Sequence, residues 1–133
     1  MNRIKLTDDR WVGDDEPPFI IAEIGNNHNG DLEKAFELMK IAKELEVDAV
    51  KFQVKNIERP SSKELLDSPY VNENSFGKTY REHKEALEFS KEQLQKLYDY
   101  AKKIGIICFL VLILSLITVY PAAISAPAVM QAK

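Results

Sequence analysis

The stretch that decides the fold contains FIIAEIG at residues 19–25, DLEKAFELMKIAKELE at 31–46 and AVKFQV at 49–54. The first run is short and apolar and stops at a glycine, which is typical of a buried strand. Asp31 is a suitable N-cap for a helix from Leu32 to about Glu46, because apolar residues then recur at helical spacing. With AVKFQV as a second strand, this order predicts a βαβ unit with parallel strands.

A second helix and a third strand are predicted after residue 88. Ser90 and Gln93 have the spacing of a capping box that begins a helix. Gly105 stands where a left-handed C-terminal cap is expected, and residues 106–109 then form a third parallel strand. Residues 55–88 are polar and irregular, so we expect a functional loop there. The whole pattern predicts an α/β fold.

Composition excludes several classes of protein. The 133 residues are 45% hydrophobic and 29% charged, which is typical of a globular domain. A net charge of −3 gives no basis for binding nucleic acid. Cys108 is the single cysteine, so there is no internal disulfide and the chain suits a reducing compartment. The N-terminal residues have no apolar signal segment, and we therefore expect a cytoplasmic protein.

Charge disappears in the last part of the chain. No charged side chain occurs from Ile104 to Gln131. We therefore divide the chain into residues 1–109 and an atypical apolar tail, residues 110–133. A frameshift or gene-model error is the interpretation we favour for the tail. A membrane segment at Ile104–Tyr120 and a genuine alternative C-terminus that packs as a helix remain open, because a short apolar run does not distinguish strand, core helix and membrane helix.

Polar side chains occupy positions of the first two strands where apolar ones are expected. Alternate residues of a strand face opposite sides of a sheet. The residues predicted to face the helices are Ile20, Ala22, Ile24, Val50, Phe52 and Val54. Glu23, Lys51 and Gln53 then project together from the other face. One interpretation is a structural Glu23–Lys51 ion pair with Gln53 as a hydrogen-bonded filler. The functional one is a cationic Lys51 for an anionic substrate, with Glu23 and Gln53 orienting polar groups.

Three other side chains are candidates with simpler alternatives. His28 in NNHNG has the chemistry of a ligand or base, although we favour a histidine that caps a turn. His83 belongs to a charged segment typical of a solvated helix face, and Tyr80 can serve packing alone. The sequence has no dinucleotide fingerprint, Walker loop, zinc-ligand spacing or nucleophile elbow. We therefore identify no metal ligands in this chain.

Four blocks in order carry a family resemblance: RWVG at 10–13, PFIIAEIGNNHNGDLEKA at 18–35, DAVKFQ at 48–53 and SFGKTYREHKEALEFS at 75–90. They resemble the N-terminal region of the N-acetylneuraminate (sialic acid) synthase family. Other phosphoenolpyruvate-condensing barrels match less well, because AEIGNNHNG and FGKTYREHKEALEFS resemble the sialic acid group specifically. The resemblance implies about the first three βα units of a (β/α)8 TIM-type barrel, which the family follows with a small antifreeze-protein-like domain.

The resemblance also implies an activity and roles for particular residues. The family condenses phosphoenolpyruvate with an N-acetylated amino sugar, needs Mn²⁺ or Mg²⁺, and forms domain-swapped homodimers. By similarity, Glu23 as the catalytic carboxylate and Gln53 contact the sugar, while Lys51 binds phosphoenolpyruvate. Asn27 and His28 are the candidate substrate-binding residues of the first loop, which we expect them to shape. Tyr80, with Lys78 and His83 nearby, is a candidate in the loop over the site.

The sequence departs from the family after Cys108. The family continues with a Ser/Thr-rich phosphoenolpyruvate-binding turn, whereas this chain continues with LVLILSLITVY at 110–120. The family's two metal-binding histidines have no counterparts here. A whole barrel needs eight strands and about 250 residues. We therefore expect no turnover by the 133-residue chain alone. The alternative is a non-catalytic binding module with a C-terminal membrane anchor.

Overall fold

The computed structural model describes residues 2–55 and 61–113, with side chains described through residue 111. Its main unit is a three-stranded parallel sheet in the order β3-β4-β5, formed by β3 (Ile21–Gly25), β4 (Ala49–Lys55) and β5 (Ile107–Ile113). Helices α1 (Leu32–Glu44) and α4 (Lys91–Ile104) connect into β4 and β5. The predicted α/β fold with parallel strands is confirmed.

An antiparallel hairpin precedes the parallel sheet and was not predicted. Strands β1 (Arg3–Lys5) and β2 (Trp11–Gly13) pair with each other. The Arg3 guanidinium lies 4.6 Å from the centre of the Trp11 ring. Strands of three residues are too short to show a hydrophobic period, and this is why the sequence pattern missed them.

Both long helices begin at the predicted caps. The Asp31 side chain accepts hydrogen bonds from the Glu33 and Lys34 amides at the start of α1. That helix ends at Glu44, two residues before the predicted end, which is an ordinary boundary error. In α4 the capping box between Ser90 and Gln93 is present in both directions. The predicted helix starts are therefore confirmed.

The C-terminal cap of α4 is also the predicted one. Gly105 has φ +70°, a left-handed conformation that glycine adopts without the steric cost of a Cβ atom. Its carbonyl accepts a hydrogen bond of 2.8 Å from the Lys43 ammonium of α1. The turn before β5 is therefore fixed by the glycine and by the neighbouring helix.

The segment predicted as irregular contains two helices, which corrects that prediction. Helix α2 spans Lys63–Leu66 and α3 spans Tyr80–Leu87, while residues 56–60 lie outside the described part of the chain. A complete capping box between Thr79 and Glu82 starts α3. Most of α3 is polar, so its helical character depends on the cap rather than on an apolar stripe.

The core lies between the sheet and the two long helices. Its central members are Ile24, Ala35, Met39, Ala42, Val50, Phe52, Leu97, Ala101 and Ile106. Ile24, Val50 and Phe52 are thus on the predicted face of the sheet. Ile20 was predicted to face the helices but is 51% exposed, because β3 begins only at the next residue.

Strand β5 is longer than predicted and continues past Phe109. It pairs with β4 residue by residue, from Ile107 beside Ala49 to Ile113 beside Lys55. The candidate membrane segment, Ile104–Tyr120, is described only as far as residue 113. Its described part contains the last residue of α4, a turn and strand β5, and residues 114–120 lie outside the described part of the chain. Among the described residues there is no helix long and apolar enough to cross a membrane. The boundary after residue 109 stays a prediction.

Candidate functional site

Strands β3 and β4 bring Glu23 and Lys51 together. The two residues are partners in the parallel register, so their side chains leave the same face of the sheet. The Lys51 ammonium and a Glu23 carboxylate oxygen form an ion pair. The burial pattern of β3 alternates, with Glu23 exposed and Ile24 buried, as expected for a strand with one face on the core. The predicted projection of both charges to one side is confirmed by this register.

Within the described part of the chain, the ion pair is accessible to solvent. The side chains of Lys51 and Glu23 are 36% and 46% exposed. An ion pair at this exposure stabilises a fold by about 0–1 kcal/mol, since water and salt screen it. Folding therefore gains little from placing two charges here, and the ammonium is available to an anion that competes with Glu23. The predicted roles of both residues in substrate binding stay predictions.

Gln53 lies two residues further along β4 on the same face. It is half-buried and stands beside Val111 of β5 in the register. No hydrogen bond joins its side chain to another residue in the described part of the chain. The predicted Glu23–Lys51 ion pair is therefore present, but the hydrogen bonds expected for Gln53 in the structural interpretation are not. The free amide keeps its capacity to donate and accept.

Large apolar side chains surround Glu23, Lys51 and Gln53. These three residues lie on the face of the parallel sheet that points away from helices α1 and α4, which we call the inner face. Phe109 is the register partner of Lys51 on the β5 side, and Phe109 and Val111 are 41% and 40% exposed. Ile21, which precedes Glu23 on the same face, is 45% exposed. The inner face thus combines one ion pair and one amide with an apolar surround. Such a mixture is typical of sites that hold small polar molecules.

The first loop, residues 26–31, is shaped by Asn27 and His28. The Asn27 side-chain amide donates to the Ile24 carbonyl at 2.9 Å, while the residue remains exposed. His28 Nδ1 accepts a hydrogen bond of 3.0 Å from the Gly30 amide. These contacts agree with the turn-capping interpretation of His28. Whether either residue also contacts a substrate stays a prediction.

His28 is buried and uncharged. Its ring is 1% exposed and stacks on Phe89 with ring centres 4.0 Å apart. Burial lowers the pKa of His28, and the positive charge of Lys34 lowers it further, whereas the Gly25 carbonyl acts in the opposite direction. The neutral ring uses Nδ1 as an acceptor, so Nε2 carries the proton. Nε2 is buried and makes no hydrogen bond of good geometry, although the Gly25 carbonyl acts on the ring.

Tyr80 belongs to an aromatic cluster on the segment before and within α3. Its ring meets Tyr70 edge-on at 5.5 Å, and the Lys84 ammonium lies 5.0 Å from its centre. His83 lies 4.6 Å from Tyr70 and 5.8 Å from Phe76, measured between ring centres. His83 is therefore partly buried rather than on a solvated helix face, and burial lowers its pKa. No described contact joins this aromatic cluster to Glu23 or Lys51.

Sequence reasoning missed Glu88 and the Arg10–Asp48 ion pair. A Glu88 oxygen accepts a hydrogen bond of 2.9 Å from the Lys55 amide at the end of β4. Arg10 Nε and an Asp48 oxygen lie 2.5 Å apart, which joins the hairpin to the start of β4. Partners so far apart in sequence leave no local spacing signal. The block RWVG contains Arg10, but its partner cannot be read from the sequence.

An open cavity of about 680 Å³ lies at the other end of the sheet. Arg10, Asp48, Lys43 and Gly105 are among its lining residues, so it lies where β4 and β5 begin. Active sites of parallel α/β sheets lie at the opposite, carboxyl ends of the strands. We therefore place the candidate site on the inner face rather than in this larger cavity.

Metal ligands are not grouped in the part of the chain that the structure describes. Within residues 2–55 and 61–113, no cluster of three or more histidine, cysteine or carboxylate side chains has the arrangement to hold a metal ion. Cys108 is half-buried on the helix side, where desolvation of the thiol raises its pKa to about 12. Its thiol therefore stays protonated and is a poor ligand or nucleophile.

Comparison with known proteins identifies the relatives of this chain. A sequence model described as the NeuB family matches residues 38–124. N-acetylneuraminate-9-phosphate synthase of Homo sapiens is 47% identical over 103 residues, which are 77% of this chain and 29% of that protein. N,N'-diacetyllegionaminic acid synthase of Legionella pneumophila is 43% identical over 89 residues, or 66% of this chain and 25% of that protein.

Solved structures agree with these relatives. The N-acetylneuraminic acid (sialic acid) synthetase of Leptospira borgpetersenii, solved with citrate, superposes with a TM-score of 0.64 at 28% identity, covering 86% of this chain and 35% of that one. The spore coat polysaccharide biosynthesis protein SpsE of Bacillus subtilis gives 0.55 at 31% identity, covering 82% and 27%. The chain spans less than a third of the length of the two curated relatives given above. The resemblance seen in the sequence is confirmed, and the chain belongs to the NeuB family.

Proposed function

We propose that this chain contributes to the active site of an enzyme that condenses phosphoenolpyruvate with an N-acetylated amino sugar and forms a nonulosonic acid. The observation that carries the proposal is the solvent-accessible Glu23–Lys51 ion pair beside Gln53 on the inner face of the sheet. The names of the relatives, synthases of N-acetylneuraminate-9-phosphate and of N,N'-diacetyllegionaminic acid, support this class of product. N-acetylmannosamine, its phosphate and a bacterial diamino sugar are all compatible amino sugars.

Each polar residue has a role that its chemistry suits. The Lys51 ammonium binds the phosphate or carboxylate of phosphoenolpyruvate and exchanges Glu23 for this ligand. The released Glu23 carboxylate and the Gln53 amide then hold sugar hydroxyls, and Glu23 is the candidate catalytic group. Asn27 and His28 keep the first loop in position, and Tyr80 contributes to the rim of the site.

The remaining parts of the proposal come from the family. A (β/α)8 barrel completes the sheet, of which the described residues provide three parallel strands. A homodimer and a cytoplasmic location are likewise proposed from the resemblance to the family. A divalent metal, Mn²⁺ or Mg²⁺, supplies electrostatic stabilisation of the reacting groups in such an enzyme. The described residues contain no cluster of three or more histidine, cysteine or carboxylate side chains that could hold this metal.

Substrate binding tests the proposal directly. We expect calorimetric titration to detect binding of phosphoenolpyruvate to the chain. We expect Lys51→Met to weaken this binding about tenfold or more, because a charge-assisted contact is lost. Lys40→Met is the matched control, since Lys40 also pairs with a glutamate, Glu44, but on the exposed side of α1. Equal affinities of Lys51→Met and the unchanged chain would refute the assignment of Lys51.

Turnover is a separate question. We expect no phosphate release from phosphoenolpyruvate and N-acetylmannosamine by the purified 133-residue chain, because the three parallel strands of the described residues do not close a barrel. Phosphate release at a rate above the buffer control would overturn that expectation while leaving the assignment of the site intact.

A further inference from the structure

Glu88 holds the carboxyl end of strand β4. Its Oε2 atom accepts the hydrogen bond from the Lys55 amide, and Lys55 is the last residue of β4. The same strand carries Lys51 and Gln53, four and two residues earlier. A side-chain carboxylate from the end of α3 thus fixes a backbone amide close to both substrate-binding candidates.

The segment 86–89 also supports the loop that follows β3. The His28 ring stacks on Phe89, the neighbour of Glu88. Gly30 lies so close to the Ala86 carbonyl oxygen that an added Cβ atom would be 2.0 Å from it. The segment therefore contacts both elements of the candidate site, namely β4 directly and β3 through its loop.

This junction contains buried polar atoms without hydrogen bonds of good geometry. In the described part of the chain these atoms are Asn26 Oδ1, His28 Nε2 and Glu88 Oε1. Buried polar atoms are nearly always paired, and an unpaired one destabilises the fold. A junction needed for packing alone would be more stable with apolar side chains at these positions. A carboxylate at this position therefore indicates a role beyond packing.

We propose that Glu88 is a positioning residue that fixes the end of β4, and with it Lys51 and Gln53, relative to the loop carrying His28. The inference rests on the proposed function, because it gives Lys51 and Gln53 a substrate to bind. Glu88 acts through the Lys55 amide and touches no reacting atom. A strand end that is held in place keeps the ammonium and the amide at a fixed spacing, which lowers the cost of ordering them when a ligand binds.

The position makes this hydrogen bond sensitive to pH. Burial raises the pKa of Glu88, while the hydrogen bond from Lys55 and the positive charges of Lys55 and Lys84 act in the opposite direction. Buried His28, on the adjoining loop, is neutral and adds no charge to the junction. Protonation of Glu88 converts a charge-assisted hydrogen bond into a weaker neutral one. We therefore expect the end of β4 to loosen as Glu88 protonates.

Three variants test the role in the full chain by NMR. Glu88→Ala is expected to speed exchange of the Lys55 amide hydrogen about tenfold or more and to shift the resonances of Lys51 and Gln53. Glu88→Gln keeps a carbonyl acceptor of the same size, so it is expected to restore slow exchange. It should also abolish the pH titration of the Lys55 amide that we expect in the unchanged chain. Glu85→Ala removes an exposed carboxylate from the same helix and is expected to change nothing.

The outcomes separate this proposal from the proposed function. Unchanged Lys51 and Gln53 resonances in folded Glu88→Ala overturn the positioning role, even when phosphoenolpyruvate binds normally. If Glu88→Ala does not fold, a Lys55 amide without a pH titration in the unchanged chain overturns it. Failure of the unchanged chain to bind phosphoenolpyruvate refutes the proposed function alone, since the resonances and the exchange rates still decide what Glu88 positions.

Discussion

Gly30 is the residue at which a single methyl group tests the contact between the first loop and the segment 86–89. Its φ is +77°, in the left-handed region, and a Cβ atom there would lie 2.0 Å from the Ala86 carbonyl oxygen. Gly105 provides the matched control. Its φ is +70°, but the nearest atom to an added Cβ is the end of the Lys43 side chain at 3.9 Å.

The two glycines therefore differ mainly in the space around them. A non-glycine residue in the left-handed region costs about 1–2 kcal/mol, and this cost applies to both positions. At Gly30 the overlap with backbone adds the strain of overpacking, about 1–3 kcal/mol. We expect Gly105→Ala to lower the free energy of unfolding by about 1–2 kcal/mol and Gly30→Ala by about 2–5 kcal/mol.

Urea unfolding followed by circular dichroism measures this difference. The comparison is valid when the dependence of the free energy on urea is the same for the three proteins, since the unfolded state is then unchanged. Equal losses for Gly30→Ala and Gly105→Ala would refute the close contact between the loop and residues 86–89. A loss of stability in Gly105→Ala alone would contradict the left-handed conformation of Gly30 as well as its close contact with Ala86.

Two further predictions concern titrating groups. The hydrogen bond from Arg10 lowers the pKa of Asp48, so the stability from this pair is present above the ordinary aspartate pKa and is lost as the pH falls through the lowered value. Thermal unfolding from neutral to acid pH should therefore show a smaller acid loss for Asp48→Asn, and an unchanged slope would contradict this. The Cys108 thiol, with its pKa raised to about 12 by burial, should react with iodoacetamide at mildly alkaline pH much more slowly in the native chain than in urea. Equal labelling rates by mass spectrometry would show that Cys108 is accessible.

The elements with strong local signals were predictable from sequence. Caps at Asp31, Ser90 and Gly105 depend on side chains within a few residues of the helix ends, so the two long helices could be placed by inspection. The alternation in β3 and β4 likewise gave the facing of Glu23 and Lys51. Local chemistry and the final packing agree at these positions, which is why short-range reasoning was sufficient.

The features that were missed depend on long-range contacts or on very short elements. Glu88 meets Lys55 across 33 residues, and Arg10 meets Asp48 across 38. Neither pair has a spacing that a helix or strand period would show. Helix α3 is different, because Thr79 and Glu82 form a capping box that the sequence displayed. The helix was nevertheless not predicted, because its mostly polar sequence resembles that of the surrounding loop residues.

The two faces of the parallel sheet are under different physical constraints. On the helix side, Val50 and Phe52 are at most 1% exposed, and truncating such side chains costs several kcal/mol, so packing alone explains their identity. On the inner face, the exposed Glu23–Lys51 pair contributes little to stability. Folding therefore does not account for these charges, whereas the proposed recognition of an anionic ligand would. The same argument applies to Glu88, because its carboxylate is costly to bury and, as we propose, holds the end of β4 in place.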